Sequence, residues 1–283
     1  MKNATFFALQ GPEGTPADLA PIVAAAEANG GRLSVLHVGP VPILTYAVAA
    51  TPYAAPMISE GWLGERDEMS ALLARRQQET RAYLTRESLT GEVATVCTEP
   101  TALHDFVAVR SLFADVSIVL DTLREDETAF HDIVYGLLFK APGPLMLNVE
   151  KESKALAPKN VFVAWDSSIP AARAVRAALP LLKMAKEVTI ATFDADTSRS
   201  GDGENPGSDL ATWLSHHGCT VNVQEYVTGS KSVAQSILFR ARETTADLVV
   251  MGAYGRSRWN ERLFGGTTET MIKQQDVAVL MSH

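Results

Sequence analysis

A glycine-rich stretch near the C-terminus is the part of the sequence best suited to holding a phosphorylated ligand. An apolar run at Leu248–Met251 predicts a buried strand, and a helix is predicted over Thr268–Gln274. The glycines between them are Gly252, Gly255, Gly265 and Gly266. Glycines past a strand let the backbone take positive φ angles and approach a ligand closely, and the first N–H groups of a helix have no intrahelical partners. Because Arg256 and Arg258 add positive charge, the stretch predicts a phosphate-binding loop.

The spacing of these glycines resembles the nucleotide loop of the universal stress protein family, Gly-x2-Gly-x9-Gly-[Ser/Thr]. Gly252, Gly255 and Gly265 stand at the three glycine positions of that pattern. The next position, Ser or Thr in the family, is Gly266 here, and hydroxyls follow at Thr267 and Thr268. The stretch has neither the P-loop pattern nor the dinucleotide-binding glycine pattern. A second interpretation is that the glycines only shape the turn from strand to helix.

The resemblance implies an ATP site in the C-terminal half, occupied with or without Mg²⁺. In the family, an acidic residue at the end of the first strand contacts adenine or ribose, and Asp166 has this position. The implied cofactor-binding residues are Ala164, Trp165, Asp166 and Phe193 around the base and sugar, Met251 and Gly252 over the ribose, and Gly255, Arg256, Gly265, Gly266, Thr267 and Thr268 around the phosphates. Trp165 departs from the pattern, since its bulk beside Asp166 would crowd the adenine.

Size and charge limit the fold and the partners. The 283 residues are enough for two domains, and 46% hydrophobic with 20% charged residues is typical of a soluble globular protein. A net charge of −8 argues against nucleic acid as the main partner, because a phosphate backbone needs a basic face. We see neither a signal-peptide core nor an apolar run of the roughly 18 residues that a membrane span needs. With two cysteines, which fit a reducing compartment, we expect a cytoplasmic protein.

The second half of the sequence repeats the first. Ala8–Gln10 matches Ala164–Asp166, and the pair Ala114-Asp115 matches Ala246-Asp247, each before an apolar run. Short apolar strands alternate with helices in both halves, which predicts a parallel sheet covered by helices on both faces. We therefore predict an α/β protein with two tandem, doubly wound domains, each with a five-stranded parallel sheet. The first domain is assigned to residues 1–150, the linker to 151–158 and the second domain to 159–283.

Apolar periodicity gives the expected elements of each half. First-half strands are predicted at Thr5–Leu9, Leu33–Val38, Glu92–Cys97, Val116–Leu120 and Pro144–Val149. First-half helices are predicted at Thr15–Asn29, Asp67–Glu87, Thr101–Phe113 and Thr128–Phe139, with Leu112 facing inward in the third. In the second half, helices are predicted from Ser168, over Ser208–His217 and over Ser232–Glu243, and the last strand over Val277–Ser282.

The repeat supplies an internal comparison for the glycine loop. Leu120 aligns with Gly252, Leu123 with Gly255, and Gln10 with Asp166. A leucine disfavours positive φ and fills the space that a phosphate would need. We therefore expect the first domain to be a degenerate copy that does not bind nucleotide in the family's way.

Other features leave alternatives open. The apolar insertion Pro40–Gly64 could cover the crevice of the first domain, pack between domains or form a subunit contact, and we favour the last two. The terminal strands of the two halves could pair within one chain or support a homodimer. His216, His217 and His104 have no metal-ligand spacing, and no catalytic group is evident. The expected function is a stress-response module that binds ATP, and the alternatives are a scaffold for a protein partner or a slow ATPase.

Overall fold

Strands and helices alternate along the chain in a computed structural model, which describes residues 1–42, 59–149, 154–195, 205–254 and 266–283. The chain divides into two units. One unit is Asn3–Pro142, and the other is Gly143–His283 together with Met1–Lys2.

The unit Asn3–Pro142 is built on parallel strands in the order β3-β2-β1-β4. The order reverses at β1, which is the mark of a doubly wound sheet. Its strands are β1 (Thr5–Gln10), β2 (Arg32–Pro40), β3 (Gly91–Thr98) and β4 (Val116–Val119), and its α-helices are α1 (Ala20–Asn29), α2 (Glu60–Arg86), α3 (Leu103–Arg110) and α4 (Glu127–Phe139). Short 3₁₀ helices occupy Pro16–Leu19, Pro100–Ala102 and Asp121–Glu125.

The unit Gly143–His283 repeats this order, with the reversal at β6 in β5-β10-β9-β6-β7-β8. Its strands are β5 (Leu145–Leu147), β6 (Asn160–Ala164), β7 (Glu187–Phe193), β8 (Val221–Tyr226), β9 (Leu248–Gly252) and β10 (Val279–Ser282), and its helices are α5 (Ile169–Leu182), α6 (Ser208–His216), α7 (Val233–Glu243) and α8 (Gly266–Lys273). The predicted α/β class is confirmed. One pairing is not parallel, because β5 runs antiparallel to β10 with Leu147 opposite Val279.

The central strands are buried on both faces, as expected for a sheet that helices cover on each side. Val161, Phe162 and Val163 of β6 are at most 2% exposed, and Leu248, Val249 and Val250 of β9 are completely buried. Among the described helices, none is both long enough and apolar enough to cross a membrane.

The repeated Ala-Asp pair has a structural role. The Asp247 carboxylate accepts hydrogen bonds from the backbone N–H groups of Lys159 and Asn160, at 2.7 and 3.0 Å, at the start of β6. In the other unit, the Asp115 carboxylate accepts one from Thr5, at 2.7 Å, at the start of β1. Each aspartate therefore anchors the first strand of its half beside the fourth.

These contacts predict unequal losses of stability. Asp247→Ala should lower the free energy of unfolding by about 2 kcal/mol, because it removes the charged acceptor of two N–H groups at a buried position. Asp115→Ala should cost about half as much, since Asp115 accepts one bond and is exposed. Urea unfolding of the two variants measures the difference, and equal losses would contradict this account of the repeat.

Several predicted helix ends are wrong for local reasons. Helix α2 begins at Glu60 and not at Asp67, because the Ser59 hydroxyl accepts the N–H of Trp62 at 3.1 Å and caps an earlier turn. Pro40 and Glu60–Gly64 of the predicted insertion therefore belong to β2 and α2, and residues 43–58 lie outside the described residues. The third helix ends at Arg110, so Leu112 is 50% exposed and does not face inward as predicted.

Candidate functional site

The carboxyl ends of β9, β6 and β7 lie side by side where the strand order of the second unit reverses. Ala164, the last residue of β6, is in register with Met251 on one side and Ala191 on the other. Ligands of open α/β sheets bind in the crevice beyond such a reversal. The residues just past these ends include the predicted Trp165 and Asp166.

The first turn of α8 is held against the end of β9. The Thr268 hydroxyl accepts the backbone N–H of Tyr254 at 3.1 Å, and Thr268 is 4% exposed. The helix begins at Gly266, two residues earlier than predicted, so Gly266 and Thr267 lie in its first turn. The predicted residues Gly255, Arg256 and Gly265 lie outside the described residues.

Asp166 lies in the turn that joins β6 to α5. Its carboxylate accepts the N–H of Ser168 at 3.1 Å, and the Ser168 hydroxyl accepts the N–H of Ala171 at 3.2 Å, which caps α5. Trp165 continues the sheet by donating its N–H to the carbonyl of Ala191 at 2.8 Å. Asp166 and Trp165 are both half-buried, so this turn holds them in defined positions at the rim of the crevice.

Phe193 is the end of a stack of side chains on β7, β8 and α7. Its ring lies 5.5 Å from the ring of Tyr226 at an interplanar angle of 28°. The Arg240 guanidinium in turn lies 4.5 Å from the centre of the Tyr226 ring. Phe193 is half-buried at the strand end, so the stack presents an aromatic side chain of fixed orientation at the predicted base-binding position.

Three further residues at this edge were missed from the sequence. Ser167, Asp194 and Tyr254 have φ angles of +56°, +46° and +60°, and each comes shortly after one of the three strand ends. A left-handed conformation is unfavourable for residues with a side chain and often marks functional loops. The hydroxyl and N–H of Thr228 hydrogen-bond to the Asp194 carboxylate, which lowers the pKa of Asp194. Positive φ angles are predicted from the positions of glycines in a sequence, so these three residues, which are not glycine, could not be found in that way.

The phenol of Tyr254 has a pKa above its ordinary value. Burial raises the pKa of its phenol, and the nearby Glu269 carboxylate raises this pKa further. Glu269 also pairs with Lys273 at 2.9 Å on the same helix.

The structure corrects the reason for glycine at position 252. We predicted a positive φ there, but Gly252 ends β9 without a left-handed conformation. A Cβ at this position would lie 2.4 Å from the Ala171 nitrogen and 2.9 Å from the Pro170 carbonyl carbon. Glycine is therefore needed because the first turn of α5 packs directly on the strand end. Gly266 differs, since its added Cβ would meet nothing within 4 Å.

The equivalent edge of the unit Asn3–Pro142 is filled by the chain itself. Leu120 and Leu123 are 1% and 2% exposed, and Gln10 is completely buried with its Nε2 2.7 Å from the Thr15 carbonyl. The Thr122 hydroxyl accepts the N–H of Gly11 at 2.9 Å, across the same point. Leu120 and Leu123, which the repeat aligns with Gly252 and Gly255, are thus packed into the core at this edge.

Comparison with known proteins identifies the C-terminal half. Residues 158–283 match the model of the universal stress protein family. They form a universal stress protein domain. The recognition of this family from the glycine loop is thereby confirmed for these residues. A comparison with curated protein sequences found no match.

Solved structures extend the likeness in fold to the whole chain. A universal stress protein from Archaeoglobus fulgidus is 15% identical, with a TM-score of 0.68 over 99% of this chain and 98% of its own. A protein from Pseudomonas aeruginosa with the same family name is also 15% identical, with a TM-score of 0.57 over 98% of this chain and 92% of its own. At this identity the matches show a shared fold over both halves.

His217 and His104, two of the histidines that the sequence analysis considered, have structural partners. No group of three or more His, Cys, Asp or Glu side chains in the described ranges could hold a metal ion. His217 follows the last residue of α6 and places its Nδ1 2.9 Å from the Trp213 carbonyl. His104 of α3 places its Nδ1 2.8 Å from the Asp132 carboxylate of α4, a partner that its sequence neighbours did not indicate.

Proposed function

We propose that the universal stress protein domain binds ATP, alone or with Mg²⁺, at the carboxyl ends of β6, β7 and β9. The observation that supports this most is the 3.1 Å hydrogen bond from the Tyr254 N–H to the Thr268 hydroxyl, which holds the first turn of α8 beside the end of β9. The first N–H groups of a helix attract phosphate oxygens. The contact therefore brings an anion-binding helix end to the crevice where the strand order reverses.

Each part of the nucleotide has candidate partners. The base would lie near Phe193 and the Ala164–Asp166 turn, and the Asp166 carboxylate would accept hydrogen bonds from the base or ribose. Met251 and Gly252 would border the ribose. The phosphates would lie at the first turn of α8, with Gly266 and Thr267, and near the predicted Gly255, Arg256 and Gly265. Thr268 would support this site as the residue that fixes the helix to the loop.

In this proposal the protein is a cytoplasmic binding module whose occupied state reports nucleotide supply under stress. Antiparallel pairing of β5 with β10 already covers one edge of β10 within the chain. The proposal therefore favours internal pairing of the terminal strands over a homodimer formed through β10. A protein scaffold and a slow ATPase remain the alternatives that the following experiment separates.

Calorimetric titration with ATP should give one site per chain in the full-length protein. Asp166→Asn should weaken binding about tenfold, because it removes the carboxylate charge while its amide oxygen can still accept the Ser168 N–H. Gly266→Ser should strengthen binding, because it supplies the family's hydroxyl at a position where a side chain has room. Gly252 is unsuitable for this test, since its replacement would disturb α5.

The matched control is Asp209→Asn, which removes an exposed carboxylate from the first turn of α6 in the same domain. It should leave the ATP affinity unchanged. Absence of binding at millimolar ATP and ADP would overturn the proposal in favour of the scaffold. Steady release of phosphate by the ATP-bound protein would instead support the ATPase.

A further inference from the structure

A cleft of about 220 Å³ lies on the sheet of the second unit, away from the candidate nucleotide site. It is bordered by Asn160 and Glu187, the first residues of β6 and β7, by one face of β8, and by Thr244 just after α7. The candidate nucleotide site uses the carboxyl ends of β6 and β7. The cleft therefore starts at the opposite ends of these strands, and it extends along β8 to Tyr226, whose ring stacks on Phe193 of the candidate nucleotide site.

Polar side chains line the cleft where the neighbouring strands carry apolar ones. Thr189 of β7 and Asn222 of β8 are in register with Phe162 of β6, so they share its face of the sheet. Phe162 is completely buried in the core, and Thr189 is 5% exposed. Gln224 continues the polar row along β8. Asn222 is exposed and Gln224 is half-buried, so the amides of the row are accessible to a polar ligand in the cleft.

Existing hydrogen bonds fix the orientation of these amides. Gln224 donates from Nε2 to the Asn222 Oδ1 at 3.1 Å, which leaves the Asn222 amide hydrogens and the Gln224 Oε1 for a ligand. Asn160 donates from Nδ2 to the carbonyl and hydroxyl of Thr245, at 3.3 and 3.1 Å, which leaves its Oδ1 as an acceptor. The cleft therefore offers donors and acceptors at set positions.

We propose that this cleft binds a small, uncharged polyhydroxyl molecule of the monosaccharide class. Hydroxyl groups both donate and accept, which matches the mixture of amide groups. Glu187 contributes a carboxylate, and the lining includes no Lys or Arg among the residues that the structure describes, which favours an uncharged ligand over an anion. The Tyr226 ring already contacts Phe193 and Arg240, so the proposal does not rely on a sugar stacking on this ring. A ligand of this size without stacking should bind with a millimolar dissociation constant.

The test is a titration of the ¹⁵N-labelled full-length protein with D-glucose, D-ribose and myo-inositol, followed by amide chemical shifts. Saturable shifts are expected at Thr189, Asn222 and Gln224 for at least one of these probes. Asn222→Ala, at an exposed position of an edge strand, should raise the dissociation constant at least about fivefold. Gln224→Ala is a second variant with the same expectation, should the first fold poorly.

Glu225→Ala is the matched control, because Glu225 lies on the same strand and points to the opposite face. It should leave both the shifts and the affinity unchanged. The proposal is overturned if none of the three probes gives saturable shifts at tens of millimolar. It is equally overturned if the shifts persist in both amide variants, or if only the diamine putrescine binds, which would indicate a cation site at Glu187.

Discussion

Gly252→Ala is expected to lower the free energy of unfolding of the C-terminal unit by about 3 kcal/mol. The added Cβ would lie 2.4 Å from the nitrogen of Ala171 and 2.9 Å from its Cα. These are backbone atoms in the first turn of α5, so they cannot turn away as the end of a flexible side chain could. Either α5 or β9 must shift, and the packing between them is lost. Urea unfolding at neutral pH measures the effect.

Gly266→Ala is the matched control in the same loop region. Its Cβ would meet nothing within 4 Å, and its φ lies outside the left-handed range, so the change should be neutral or slightly stabilising. If the two alanine variants are equally stable, the close approach of α5 to β9 is wrong. In that case Gly252 variants would be intact in structure, and their ATP affinity could be used to test the ligand site.

Acidification is expected to destabilise the unit Asn3–Pro142 through His37. This side chain is completely buried on β2, with its Nε2 3.0 Å from the Thr80 hydroxyl of α2. Burial, with a smaller effect of Arg76, lowers the pKa of His37 from 6.5 to about 4, while Glu79 acts in the opposite direction. Between these pH values His37 is therefore protonated in the unfolded chain and neutral in the folded chain.

The sign follows from this difference in proton uptake. The contribution of His37 to the free energy of unfolding is fully present above pH 6.5 and is lost as the pH drops toward 4, by about 3 kcal/mol in total. The double variant His37→Leu/Thr80→Val should lose this part of the pH dependence, because it removes the titrating imidazole. Replacing Thr80 as well avoids leaving its buried hydroxyl without the histidine partner. Unfolding free energies at pH 7.5 and 4.5 give the comparison.

Thr80→Val alone retains the histidine and serves as the control. It should remain acid-sensitive to at least the extent of the wild type, although it is less stable at every pH. Equal acid sensitivity of the wild type and the double variant would show that other groups, such as paired carboxylates, account for the whole effect.

The sequence was sufficient for the architecture because the repeat and the apolar periodicity both depend on burial. Apolar runs such as Leu248–Met251 are strands because a sheet covered on both faces needs them. The alternation of strands and helices then left few topologies open. The position of the candidate site followed from the same logic, since Gly252 ends β9 and Asp166 lies just past the end of β6, next to the reversal of strand order.

Contacts between distant side chains could not be predicted in this way. The pairing of His104 with Asp132 spans 28 residues and depends on the close approach of α3 to α4 at Gly136, where a Cβ would lie 2.4 Å from the His104 carbonyl oxygen. Local conformation was also hidden, because the left-handed residue Tyr254 carries a large side chain. The glycine at position 252 was recognised as significant, but its reason lay in a helix about 80 residues earlier in the chain.

The antiparallel pairing of β5 with β10 has a consequence for concentration. β5 precedes the second sequence repeat, and β10 ends it. The two paired strands are therefore connected to each other through the polypeptide chain of that repeat. If the same strands belonged to separate polypeptides, dilution would pull them apart. Because both strands belong to one chain, their pairing is intramolecular and does not depend on protein concentration. The β5–β10 pairing should therefore persist even when only a few copies of the protein are present in a cell.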